Sequence, residues 1–153
     1  MENKQALRVL FQTISLFGTP FFYMPAIAYL FKIAPKLAVN LIFILVFTEV
    51  ICGAIKYIYP KDRPIPMPDN TFIQKYFAGS MPSVHTARIT AFSAAIAVFY
   101  ANGIFILIAS FAVICVGYSR IYLKKHYLID VIAGFIIGAV ISALVLSIQN
   151  RIM

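Results

Sequence analysis

The 153-residue chain has little charge, and most of what it has is of one sign. Only 12% of its residues are Asp, Glu, Lys or Arg, with five acidic against thirteen basic. That excludes an ordinary soluble domain, in which about a quarter of the residues are charged. Cysteine is scarce too. Cys52 and Cys115 lie inside apolar runs with no His or Cys neighbour at metal-ligand spacing, which leaves them as packing residues. The carboxylates Asp62, Asp69 and Asp130 are scattered, and the two histidines, His85 and His126, lie on separate segments, so neither a metal site nor a cofactor is expected. The N-terminus lacks the short apolar core and small-residue cleavage site of a secretory leader, and the first hydrophobic span is expected to be retained. No linker, repeat or low-complexity tract interrupts the chain, which reads as one integral-membrane domain over residues 1–153.

Hydrophobic residues make up 62% of the chain and are gathered into long runs. The pattern predicts an all-α, polytopic transmembrane bundle of five spans, near residues 14–31, 37–58, 82–100, 104–118 and 127–148. Ahead of them Lys4, Arg8, Gln12 and Ser15 share one helical face and Leu7, Leu10, Phe11 and Ile14 the other, as in an amphipathic helix lying in the membrane interface. Pro20 and Pro25 predict a kink in the first span. Residues 59–79 form the longest polar stretch, and Pro60, Pro64, Pro66 and Pro68 make it a surface loop, with Phe72, Tyr76 and Phe77 placed to seat a short segment among headgroups. Ser80 and Pro82 are read as start signals for the third span. Gly134 and Gly138, four apart, predict close helix packing. Glu49 interrupts the second span and has two readings, a functional group or a hydrogen-bonded structural carboxyl facing a neighbouring helix.

An odd number of spans brings the polar clusters to one side. Lys56 and Arg63-Pro64, Pro82-Ser83-Val84-His85, and Ser119-Arg120 through His126 to Asp130 all reach the same membrane surface. The opposite surface receives Lys32, Lys36, the 101–103 turn and Arg151. Two arginines and a lysine, with hydroxyl and backbone N–H donors at a helix start, suit a tetrahedral oxyanion, and phosphate fits best. Two histidines beside such a pocket allow one to attack phosphorus while the other protonates the leaving oxygen. Asp130 lies four residues after His126, which on a helix would let the carboxylate hold the imidazole.

These three clusters, with Lys56 seven residues before Arg63-Pro64, Pro82-Ser83 two before His85, and Ser119-Arg120 followed by His126 and Asp130, resemble the three ordered motifs of the type 2 phosphatidic acid phosphatase (PAP2) superfamily. The resemblance implies that His126 forms a phosphohistidine, that Asp130 orients it, and that His85 is the acid for the leaving group. It implies that Lys56, Arg63, Ser83, Arg120 and the backbone N–H of Val84 bind the phosphate. Val84 departs from the family, which usually has glycine there, and the five-span count departs from the six of many members. The implied substrate is an anionic membrane lipid: lipid A 1-phosphate, to which the compact form inclines the reading, undecaprenyl diphosphate or phosphatidylglycerol phosphate. Lys61, Lys75, Lys124 and Lys125 are candidate headgroup contacts. The lipid and the bilayer are the expected partners, and nucleic acid is not.

Two alternatives keep the same site, a lipid phosphotransferase and a non-catalytic protein that binds anionic lipid. Orientation is contested. Ten of the thirteen Lys and Arg fall on the side of the site and three (Lys32, Lys36, Arg151) opposite, which by the positive-inside rule places the site in the cytoplasm. The resemblance implies instead an inner-membrane protein whose site faces the periplasm or outer leaflet.

Overall fold

Proline and small polar residues set where the helices begin. In the computed structural model, which describes residues 2–152, α1 (Glu2–Ser15) runs into a single 3-10 turn at Leu16–Gly18. Helix α2 (Pro20–Ile33) and, after Ala34 alone, α3 (Pro35–Ile58) each start on a proline, whose missing N–H costs nothing in a first turn. The long polar connection contains α4 (Phe72–Ala78), held by a reciprocal capping box between Thr71 and Gln74. Helix α5 (Val84–Tyr100) ends at Ala101, which has a left-handed φ of 47°, and the Asn102 side chain caps Ile104 N–H at 2.8 Å to start α6 (Gly103–Tyr122). A short connection leads to α7 (Leu128–Ile152). The side chain of Arg151 lies outside the described residues.

The chain is an all-α bundle, as expected, but its spans are unequal. Helices α3, α6 and α7 are long and apolar enough to cross a membrane, and α1 with α2, bent by 43°, would make a fourth crossing; α5 is apolar but has 17 residues. The break in the first expected span falls at Gly18 and Thr19, ahead of Pro20, while Pro25 lies within a continuous α2. The third span starts at Val84 with Ser83 as its N-cap, so Ser80 and Pro82 precede the helix rather than begin it. Ser119 and Arg120, expected in a loop, occupy the last turns of α6, because the helical run continues to Tyr122.

The core lies where α3, α5 and α7 meet. Leu37, Leu41 and Ile44 of α3 are fully buried against Ala91 and Ala95 of α5 and Ile141 of α7. Alanines and glycines let α5 and α7 come into backbone contact. A Cβ on Gly134 would lie 2.4 Å from the Ser83 carbonyl oxygen, and one on Gly138 would lie 2.3 Å from that of Ala87. The Gly134–Gly138 pair thus has the close-packing role predicted for it. Large apolar side chains such as Phe21, Leu107 and Phe111 point outward, the surface expected of a protein whose solvent is lipid. Together these features make it an integral membrane protein.

Candidate active site

Backbone contact between α5 and α7 brings their N-terminal ends together, and the loops on either side of α4 and the connection after α6 close around them. Ser83 N–H donates to the Asp130 carbonyl at 2.9 Å, which joins the start of α5 to the start of α7. Lys56 comes in from the last turn of α3, Arg63 from the following loop, and Arg120 from the end of α6. All three cations are buried. Lys56 Nζ donates to the carbonyls of Tyr76 (3.1 Å) and Gly79 (2.9 Å), and Arg63 to those of Ala78 (3.2 Å) and Gly79 (3.4 Å). Arg120 donates to Ser15 Oγ of α1, while its Nε is buried and has no partner among the described residues.

None of these three cations is ion-paired among the described residues. A buried cation without a counter-charge is costly, so a cluster of three defines a place for an anion. Ser83 makes no side-chain capping bond to α5, which leaves the first-turn N–H groups, that of Val84 included, open to the same anion. Val84 is itself buried, and its isopropyl group fills space that a glycine would leave empty.

His126 precedes α7 rather than sharing a helical face with Asp130. Its Nδ1 is 2.7 Å from the Ser80 carbonyl oxygen and 3.9 Å from Asp130 Oδ2. The imidazole makes its hydrogen bond to Ser80, with the Asp130 carboxylate within ion-pair distance of the same nitrogen, because the last residues before α7 turn the ring toward Ser80. A carbonyl only accepts, so Nδ1 carries the proton and Nε2 keeps its lone pair. Burial, with Arg63, Arg120 and Lys56 nearby, pushes the His126 imidazole down to about 2, against a smaller opposite effect of the Ser80 bond. The ring is thus neutral at physiological pH. Burial also pulls the Arg63 guanidinium below its ordinary value, partly offset by Asp130. His85, in the first turn of α5, is surrounded by Arg120, Arg88, Arg63 and Lys56.

Asp130 is fully buried and occupied elsewhere. It accepts from Lys61 Nζ at 2.6 Å, Ser80 Oγ at 2.5 Å and Tyr127 N–H at 2.8 Å. Lys61, expected among the headgroup contacts, is thereby turned inward onto Asp130. Lys75 and Lys124 are exposed and Lys125 is half-buried; none has a side-chain partner among the described residues. Glu49 proves to be the structural carboxyl of its two readings. It accepts from Arg88 Nε at 2.9 Å and Nη2 at 2.5 Å and from the Tyr76 hydroxyl, tying α3 to α5 and α4.

Four residues near the site were not among those the sequence singled out as site residues. Ser15 meets Arg120, Ser80 meets both His126 and Asp130, and Arg88 donates to the Gly18 carbonyl at 3.3 Å. Gly18 packs on His85 so closely that a Cβ there would lie 2.7 Å from the histidine Cβ. Arg88 alone could have been suspected, as a charge inside an apolar helix one turn after His85.

A helical membrane bundle with three buried cations and two histidines gathered at one end has the side chains that a membrane enzyme of phosphoryl chemistry requires. Residues 37–153 match the PAP2 superfamily, and the chain belongs to that superfamily. It is 29% identical over 141 residues to an undecaprenyl-diphosphatase of Sulfolobus acidocaldarius, covering 90% of this chain and 68% of that one. Its fold is similar to that of Aquifex aeolicus LpxE, with a TM-score of 0.77, 21% identity and coverage of 93% and 86% of the two chains. It is also similar to the transmembrane PAP2-type phosphatidylglycerolphosphate phosphatase of Bacillus subtilis, with a TM-score of 0.78, 20% identity and coverage of 96% and 78%. The protein is a phosphatase of this superfamily, acting on phosphoric ester or diphosphate bonds.

Proposed function

We propose that the protein removes a phosphate from an anionic membrane lipid through a phosphohistidine on His126, without a metal ion. The observation that carries this reading is the cluster of Lys56, Arg63 and Arg120, three buried cations without an acid to pair them. With Ser83 and the Val84 N–H, these would hold the phosphoryl oxygens and take the charge that develops on them. His126 Nε2 attacks phosphorus, forming a P–N bond as the P–O bond to the lipid breaks, and the departing oxygen takes a proton from His85. Water then attacks phosphorus, the P–N bond breaks with its electron pair returning to Nε2, and His85 takes the water's proton.

A lipid substrate is supported by an apolar cavity of about 700 Å³ between α5, α6 and α7, lined in part by Thr86, Thr90, Val113, Gly117, Val131 and Phe135. Thr86 donates to Ser83 Oγ at 3.0 Å, so the cavity adjoins the phosphate site and offers room for an acyl or isoprenoid chain. Among candidate substrates, the relative matched by sequence favours undecaprenyl diphosphate over lipid A 1-phosphate and phosphatidylglycerol phosphate. We place the site on the outer face of the plasma membrane, as in the family it resembles; labelling of Lys75→Cys by an impermeant thiol reagent in intact cells tests that face.

Phosphate release from these three lipids in detergent, with chelator present, tests the activity. Turnover that survives chelator and is lost in His126→Ala supports the mechanism. Turnover abolished by chelator, or undiminished in His126→Ala, contradicts it. Phosphate passed to an added alcohol in preference to water would favour a phosphotransferase.

A further inference from the structure

Asp130 makes no hydrogen bond to the imidazole 3.9 Å away, yet it is fully buried and bonded to three other groups beside it. Its Oδ2 accepts from Ser80 Oγ at 2.5 Å, and the carbonyl of the same Ser80 accepts from His126 Nδ1 at 2.7 Å. Ser80 N–H in turn donates to the Lys61 carbonyl at 2.7 Å. All three polar groups of Ser80 are therefore committed, and its carbonyl is fixed from two sides. Lys61 closes the arrangement: its Nζ bonds Asp130 Oδ1 at 2.6 Å and lies 4.7 Å from the centre of the Tyr127 ring, next to His126. The four residues come from the loop after α3, the segment before α5 and the start of α7, so the relay joins three separate parts of the chain.

We propose that Ser80, through its carbonyl, and Lys61, through Asp130 and Ser80, are positioning residues for the His126 nucleophile, and that Lys61 is not a substrate contact. This rests on the reading of His126 as the nucleophile. A carbonyl, unlike a carboxylate, cannot take the Nδ1 proton and so fixes the tautomer with Nε2 free. Lys61 matters because an uncompensated carboxylate 3.9 Å from the ring would compete for that proton. Paired with Lys61, Asp130 spends its charge on holding Ser80 in place.

The full-length protein in detergent provides the test. Lys61→Met and Ser80→Ala each lower kcat by about 10–100-fold with KM within about threefold, the size expected when a nucleophile loses its fixed geometry. Lys61→Arg, which keeps the charge, restores kcat to within about threefold of the wild type. The double variant is no slower than the slower single one, because the two residues act in series. A KM rise for the lipid diphosphate with kcat unchanged in Lys61→Met would show a headgroup contact and overturn the proposal, as would additive losses in the double variant. Nitrogen-15 NMR of the imidazole gives a readout independent of substrate. The wild type shows His126 as a single Nδ1–H tautomer, and Lys61→Met and Ser80→Ala show a mixture. Unchanged His126 signals in both variants overturn the positioning role. Should no lipid be hydrolysed by the wild type, the functional reading fails and the NMR result still decides the relay. If Lys61→Met does not fold, Lys61→Gln, which donates without charge, carries the same expectations.

Discussion

The two seams that α7 makes with its neighbours differ sharply. Toward α5 it is in backbone contact, with Gly134 against Ser83 and Gly138 against Ala87. Toward α6, to which a short connection joins it, it leaves the apolar cavity of about 700 Å³. Adjacency in sequence did not produce tight packing; small residues did. The closed seam carries the groups that must not move, since His126, Asp130, Ser83 and His85 all sit at its end. The open seam reaches the same end and has the apolar lining a lipid chain would need.

The comparison can be tested at both seams. The largest effect is expected for Gly134→Ala. Its methyl would meet the rigid Ser83 carbonyl, forcing α5 and α7 apart, so kcat should fall by about 10²-fold or more, with a lower melting temperature. Wild-type activity in that variant would show that the seam need not be closed. Ala109→Phe, which fills the open seam, should raise KM by about tenfold for a long-chain lipid phosphate and leave a short-chain soluble analogue within about twofold. Equal effects on both analogues would remove the cavity from substrate binding. Glu49→Gln, which removes the charge opposite the partly buried Arg88, should cost about 1–2 kcal/mol in a reversible unfolding measurement, with kcat within about threefold.

The smallest effect is a predicted absence. Because the folded His126 imidazole is pushed down to about 2, it stays neutral between pH 7 and 5, and kcat/KM should show no acid limb from its protonation there. The unfolded chain, with an ordinary histidine, takes up that proton below about pH 6.5, so His126 lowers folding stability progressively as pH falls from 6.5 toward 2. A melting temperature that does not decline in acid would contradict the neutral, buried ring.

Much of the site was legible because its chemistry demands particular side chains at fixed spacings. Arginine's fork, lysine's charge and two histidines cannot be replaced by residues that merely pack, so Lys56, Arg63, His85, Arg120 and His126 stand out in an apolar chain. Ser80 contributes to His126 through its carbonyl, which every residue possesses, and so left no mark in the sequence. Lys61 resembled a headgroup contact, since a sequence gives the sign of a charge but not its direction. The spacing of His126 and Asp130 suggested a shared helical face, but α7 starts two residues too late for that. Gly18 and Ser15 approach the site only because α1 and the 3-10 turn fold back against α6 and α5, a contact remote in sequence.

The sequence by itself determined that the protein is embedded in a membrane, that it is helical and which side chains could serve phosphate chemistry, because hydrophobic run length, proline placement and irreplaceable side chains are local properties. Only the tertiary structure decided how the His126 ring is held. Helix packing brings the loop after α3, the segment before α5 and the start of α7 to within hydrogen-bond distance of one another, so that Asp130 bonds Ser80 and Ser80 bonds His126.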